Sequence, residues 1–173
     1  MASEEPEFLV VNRVGGFEIR NYYPMIIAEV SVGGTMEAAS SSGFRMVADF
    51  IFGNNTSPSG KSEKIDMTVP VTIFKNGDNW CLHFVMPSKY SLNSLPKPNN
   101  PEIKIRQLGN RRCVVVKFSG TVTEAKFNAK AEALINLIKS ENLEIMGVPE
   151  LARYNPPWTL PFLRRNEIII EIH

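Results

Sequence analysis

The chain has little histidine and little cysteine, two of each in 173 residues. His173 is the last residue. His83 lies mid-strand, sharing a face at period two with Cys81 and Val85. No metal site is expected from so sparse a set, and His83 is kept only as a weak candidate ligand. Cys81 and Cys113 lie in apolar runs without CxxC spacing, which reads as buried free thiols in a reducing compartment. A disulfide between them requires that their strands be neighbours. An excess of one charge is also missing: 19 basic against 18 acidic residues leave a net charge of +1. That balance offers no footprint for nucleic acid or for an anionic membrane. No apolar run approaches the roughly 18 residues of a membrane span. The acidic start, Met1-Ala2-Ser3-Glu4-Glu5-Pro6, does not read as a signal or transit peptide. A cytoplasmic location is expected, or a plastid one where a transit peptide has been removed. GxSxG, P-loop, GxGxxG, HExxH and paired-carboxylate motifs are all absent. A non-enzyme is therefore expected; a small hydrolase using Glu167 and Tyr154 is the lesser reading.

What is present is an ordinary globular composition, 43% hydrophobic and 21% charged. We expect one soluble domain over residues 1–173, with 1–6 disordered. A chain of this length buries roughly two thirds of its unfolded surface and needs no structural metal to fold. Strands are expected at Phe8–Val10 and Phe17–Ile19 around Gly15-Gly16, then at 25–32, 67–74, 80–86, 103–106, 112–118 and 167–172. A first helix is expected from Ser41 or Ser42 to Gly53, with Phe44, Val47, Ala48 and Ile51 as its core stripe, and some helix as early as Met36. A second helix starts at Thr123, a good N-cap, and carries Phe127, Ala131, Leu134 and Ile138 inward, ending near Asn142.

The order of elements repeats. Phe17-Glu18-Ile19-Arg20 corresponds to Ile103-Lys104-Ile105-Arg106, helix 41–53 to helix 123–142, and residues 67–87 to 150–172. The expected fold is α+β: two pseudo-twofold-related half-units whose strands join in one curved antiparallel sheet or distorted β-barrel, with two main helices packed on it.

Two surfaces carry more apolar residues than a fold needs. On the first helix, Met46 and Phe50 sit four apart and point away from the expected core stripe, flanked by Arg45 and Asp49. This reads either as a face covered by a loop or as one wall of a groove, with Arg45 able to meet a carboxylate. The run Asn155 to Arg165 holds three prolines, presents Trp158, Leu160 and Phe162, and ends in Arg164-Arg165. It reads either as a plug for one end of the sheet or as a rigid aromatic loop over a planar, acidic ligand.

Several segments, taken together, resemble the SOUL family of haem-binding proteins, plant and algal members most closely. They are Phe17-Glu18-Ile19-Arg20-Asn21-Tyr22, Phe50-Ile51-Phe52-Gly53-Asn54-Asn55, Lys64-Ile65-Asp66-Met67-Thr68-Val69-Pro70-Val71, Phe84-Val85-Met86-Pro87-Ser88, Phe118-Ser119-Gly120, Ala152-Arg153-Tyr154-Asn155-Pro156-Pro157 and Arg165-Asn166-Glu167-Ile168. They occur in order across residues 7–172. The resemblance implies two βαββ-type repeats and a groove between the first helix and the loop before the last strand. It implies reversible binding of haem (b-type) or another porphyrin through apolar contacts and propionate pairing, with no obligatory axial histidine. The site residues it points to are Arg45, Met46, Asp49, Phe50, Trp158, Leu160, Phe162, Arg164 and Arg165. Where some animal members carry a basic residue in this helix, Val47 stands here. A carrier or buffer of tetrapyrrole is the expected function. The alternative is an interaction module that regulates a protein of tetrapyrrole metabolism. A monomer is expected, with a homodimer as the alternative.

Overall fold

The structure, a computed structural model, describes residues 3–173. Tight turns at glycines with positive φ set the first hairpins. Gly15 (φ +56°) joins β1 (Phe8–Val14) to β2 (Phe17–Tyr22), and Gly77 (φ +64°) joins β5 (Val71–Asn76) to β6 (Asn79–Val85). The other long strands are β3 (Met25–Val32), β8 (Lys104–Leu108), β9 (Arg111–Phe118), β10 (Glu150–Arg153) and β11 (Asn166–Glu171). Two short strands, β4 (Asn55–Thr56) and β7 (Lys97–Pro98), pair with each other and tie together the stretch after α1 and the stretch before β8.

The nine longer strands form one sheet in the order β1-β2-β9-β11-β10-β5-β6-β3-β8. Every pairing is antiparallel. Without β1, this order maps onto itself when β2, β3, β5 and β6 are exchanged with β8, β9, β10 and β11. The pseudo-twofold axis passes between β5 and β10, where Ile73 faces Leu151. The repeat expected from the sequence is therefore the symmetry of the sheet.

Both helices cover one face of the sheet. Helix α1 (Met36–Ile51) lies on β3 and β6, and α2 (Glu124–Ser140) on β11. The start of α1 differs from the serine cap expected. Thr35 caps it, its hydroxyl accepting the Ala38 N–H at 3.2 Å, and Ser41 and Ser42 lie within the helix. The core stripe differs in part: Val47 and Ile51 are buried as expected, but with Met36, Ala39, Gly43 and Phe50 rather than with Phe44. Phe44, expected in the core, is 40% exposed. Gly43 is where α1 meets the sheet, since a Cβ there would lie 2.9 Å from Leu82 and 3.2 Å from Val30. Helix α2 matches its expected cap and stripe: Thr123 accepts the Lys126 N–H at 3.2 Å, and Phe127, Ala131, Leu134 and Ile138 are buried. The core between helices and sheet takes in Val30, Trp80, Leu82, Leu151 and Ile168 from the strands.

The opposite, inner face carries a smaller apolar cluster of Tyr22, Cys113, Val115, Ala152, Tyr154 and Ile169. Residues 4–7, from the segment that includes the stretch expected to be disordered, run along it as an N-terminal strap. The Glu4 carbonyl accepts from Val69 N–H, its carboxylate from Ser88 N–H, and Glu5 pairs with Arg165. Residues 1 and 2 lie outside the described residues. Cys81 on β6 and Cys113 on β9 are both free, with three strands between theirs, so no disulfide joins them.

Candidate functional site

One row of side chains crosses the helix-covered face near its end. Asn166 on β11 faces Arg153 on β10, Arg153 faces Val71 on β5, and Val71 faces Phe84 on β6. Helix α1 closes over this row. Phe44 packs its ring 6.1 Å from that of Phe84. One turn earlier, Ser40 accepts a hydrogen bond from Arg153 Nη1 at 3.3 Å. The other Nη of Arg153 donates to the Val122 carbonyl, just before α2, at 3.3 Å.

The Arg153 guanidinium therefore sits at the junction of both helices and the sheet. Among the described residues, no carboxylate comes within ion-pairing range of it. Burial depresses its pKa, opposed by the more distant Glu37. A groove of about 210 Å³ opens beside it, lined by Gly120, Val122, Arg153, Pro156, Pro157 and Arg164. A half-buried cation hydrogen-bonded only to neutral partners beside a groove has the chemistry to receive an anion.

The rim is the loop 155–165. Arg164 fastens it from within, donating to the Thr159 carbonyl at 2.8 Å and the Pro157 carbonyl at 2.7 Å. Gly120 N–H donates to the Pro161 carbonyl at 2.8 Å, tying the loop to the approach to α2. The loop is held, yet its apolar side chains do not plug the sheet. Trp158 is 84% exposed and Phe162 71%, with Leu160 and Leu163 also exposed. Four large apolar side chains within six residues are presented to solvent by a fastened loop, an exposed patch of the kind that suits a ligand or partner rather than a core.

The residues expected at the site separate into four groups. Arg164, Trp158, Leu160 and Phe162 belong to this loop. Arg45 and Asp49 are exposed on α1, and Met46 is half-buried against the core. Phe50 is 0% exposed and faces the sheet, because the true core stripe runs through positions 43, 47 and 50. It lines no groove. Val47 is likewise in the core. Arg165 turns to the inner face, where it pairs with Glu5 and Glu167 and stacks its guanidinium 3.8 Å over the Tyr154 ring. Two residues at this junction carry no role in the sequence reading: Arg153, which lines the groove, and Ser40, which accepts its hydrogen bond.

The inner face holds a second set of buried charged groups. Arg20 donates to both carboxylate oxygens of Glu167 at 3.1 and 2.8 Å, and to the Tyr22 hydroxyl at 2.9 Å. Tyr154 donates to Glu167 as well. The two groups considered for hydrolysis are thus adjacent, but Glu167 is wholly buried and clamped by Arg20. Arg111 pairs with Glu150 further along. His83 lies on this face, hydrogen-bonded to Glu29, and the sheet separates it from the groove. Burial, helped at Cys81 by the neighbouring Glu29 carboxylate, pushes the Cys81 and Cys113 thiols up to about 12, so both are protonated in the metal-free protein.

A two-repeat α+β half-barrel with helices on one face and a cationic, aromatic-rimmed groove at the helix junction defines the class of protein. The family model described as SOUL heme-binding protein matches residues 3–171, and the chain belongs to that family. Membership supports haem binding as its function. No curated protein matches the chain in sequence. Solved structures of similar fold include the EcmrR C-terminal domain, with a TM-score of 0.68 and 10% identity over 91% of this chain and 96% of that one. SAV2435 bound to tetraphenylphosphonium matches at a TM-score of 0.52 and 11% identity, over 91% and 93%. A hydrolase from Listeria innocua matches at 0.57 and 12%, over 100% and 94%. At such identities the likeness is one of fold.

Proposed function

We propose that the chain is a non-enzymatic carrier or buffer that takes up haem or a related dicarboxylate tetrapyrrole reversibly at the groove beside Arg153. The Arg153 guanidinium, half-buried without a carboxylate, carries this reading. Arg153 and Arg164 meet the propionates, and Trp158, Leu160 and Phe162 lie against the macrocycle. The outer side of α1, with Arg45, Met46 and Asp49, forms the far flank. The groove is smaller than the several hundred Å³ of a site that encloses its ligand, so the macrocycle stays partly exposed, as suits release. No histidine lines the groove, which supports binding without an obligatory axial imidazole.

Titration with haemin, followed at the Soret band, tests this. Saturable binding with a Kd below about 10 µM is expected. Arg153→Ala removes a charge-assisted contact of about 1.5–3 kcal/mol and weakens binding about 10- to 100-fold. Trp158→Ala weakens it as well, and His83→Ala leaves it unchanged. Absence of saturation, or an Arg153→Ala variant that binds as the parent does, overturns the reading. The exposed loop favours one other reading: an interaction module of tetrapyrrole metabolism, whose partner binds through Trp158 and Phe162 regardless of haem.

A further inference from the structure

The inner face holds a second constellation, on the far side of the sheet from the groove. Strand β6 presents Cys81 and His83 two residues apart, so both side chains leave the same face. Glu29 on β3 lies directly opposite His83 in the ladder. The Cys81 thiol, a ring nitrogen of His83 and a carboxylate oxygen of Glu29 all lie within 4.8 Å of one another. We propose that Cys81, His83 and Glu29 form a site for a thiophilic divalent transition ion, Zn²⁺ in class.

The donor set selects the ion. A carboxylate and an imidazole together suit many divalent metals, but a thiolate beside them disfavours Mg²⁺ and Ca²⁺ and favours zinc. The positions are held by paired strands rather than loops, so the three Cα atoms are fixed by the ladder hydrogen bonds. Metal bonds of about 2.0–2.3 Å place tetrahedral donors roughly 3.3–3.7 Å apart. The His83–Glu29 contact, now 2.6 Å, has to open by about 1 Å, a movement that side-chain rotation supplies. Phe74 packs edge-on to the His83 ring at 4.9 Å and limits its swing. Cys81 and His83 are buried, while the Glu29 side chain keeps 22% of its exposure. The open fourth position therefore falls on the Glu29 side, where water completes the shell.

In the metal-free protein His83 and Cys81 both reach the Glu29 carboxylate, and this convergence of three donors on one point is what a metal uses. Arg106 is the competing charge: it donates to Glu29 Oε2 at 2.7 Å from the exposed side. On binding, the ion replaces the Cys81 thiol proton, which leaves to solvent, and His83 binds as the neutral imidazole. Thiolate and carboxylate then neutralise the two positive charges.

Titration of the full chain with Co²⁺, followed by Zn²⁺, tests the site without any haem. Binding of one equivalent is expected, with a thiolate-to-cobalt charge-transfer band in the near ultraviolet and the visible bands of tetrahedral Co²⁺, both lost on adding Zn²⁺. Cys81→Ser removes the charge-transfer band, and Cys113→Ser retains it. Glu29→Gln weakens binding at least tenfold. Arg106→Gln, a change at a half-exposed residue, binds at least as tightly as the parent because the competing cation is gone. Far-ultraviolet circular dichroism confirms that each variant is folded. Absence of one-equivalent binding in the parent and in Arg106→Gln, or a charge-transfer band that survives Cys81→Ser, overturns the proposal.

Discussion

Arg20 and Glu167 are both sealed from solvent, and Arg20 is the main reason Glu167 remains charged there. Burial works to raise the Glu167 carboxyl, but hydrogen bonds from Arg20 and Tyr154 and the charges of Arg20 and Arg165 outweigh it, so its pKa is lowered. The pair spans β2 and β11, strands separated by β9. Removing one member takes away the other's main buried partner, leaving Arg20 with Glu18 or Glu167 with Arg165 and Tyr154, at a cost of up to about 3–5 kcal/mol. Glu167→Gln is expected to lower unfolding stability by that order in a urea titration. Replacing both members, as Arg20→Met with Glu167→Leu, is expected to cost clearly less than the sum of the single changes. The pH dependence follows from the direction of the shift. A carboxyl whose folded pKa lies below its unfolded value contributes stability that is complete above the unfolded value and lost as pH falls through the folded one. The parent therefore loses stability steadily as pH falls below the ordinary carboxylate value of 4.5. The Glu167→Gln variant shows a shallower loss over the same window. An identical slope in both proteins contradicts this account of the pair.

Helix α1 shows at the scale of an element why some of the chain was legible and some was not. Helix α2 could be read from Thr123 to its last core residue, because one good cap precedes one clean apolar stripe. In α1 the signals compete. Three serines at 40–42 imitate a cap, and the real cap, Thr35, precedes them by more than a turn. Phe44 and Phe50 are equally apolar and lie on different faces, so periodicity alone selected the wrong one. The deciding contact is long-range: Gly43 against Leu82 and Val30 turns the 43–47–50 line onto the sheet. The groove was half legible for the same reason. The loop 155–165 announces itself in prolines and aromatics, but Arg153 gains its meaning only when α1, α2 and β10 meet around it. Gly43→Ala tests the packing claim. The substitution gains about 1 kcal/mol of helix propensity, while forcing a methyl into contacts of 2.9–3.2 Å costs about 1–3 kcal/mol. Leu82 is itself buried and has little room to yield, so a net loss of stability is expected in thermal unfolding. A rise in melting temperature would show that α1 lies further from the sheet.

At the scale of the whole molecule, the two repeats are interlocked rather than merely joined. Three ladders cross between them: β2 pairs with β9, β3 with β8, and β5 with β10. The edge strand of each repeat is thus held by the other, so neither half can complete its sheet alone. Repetition was visible in the order of elements, but this exchange was not, because strand partners more than 70 residues apart leave no local pattern (β3 with β8, for example, pairs Ile27 with Arg106). The interlock predicts one cooperative unfolding transition. Trp80 is placed to report it. It is buried in the first repeat, with its ring 6.4 Å from Phe127 of the second repeat's helix. Trp158 is already exposed, so its emission changes little. Fluorescence, which follows the contact between repeats, and far-ultraviolet circular dichroism, which follows both helices, are therefore expected to give the same midpoint in urea. Fragments 8–100 and 101–173 are expected to be largely unfolded separately and to regain the parent spectrum only when mixed, if at all. A fluorescence transition well before the loss of helix, or a fragment that unfolds cooperatively alone, would mean that the repeats are separate units docked together, with the crossed ladders contributing little to holding them.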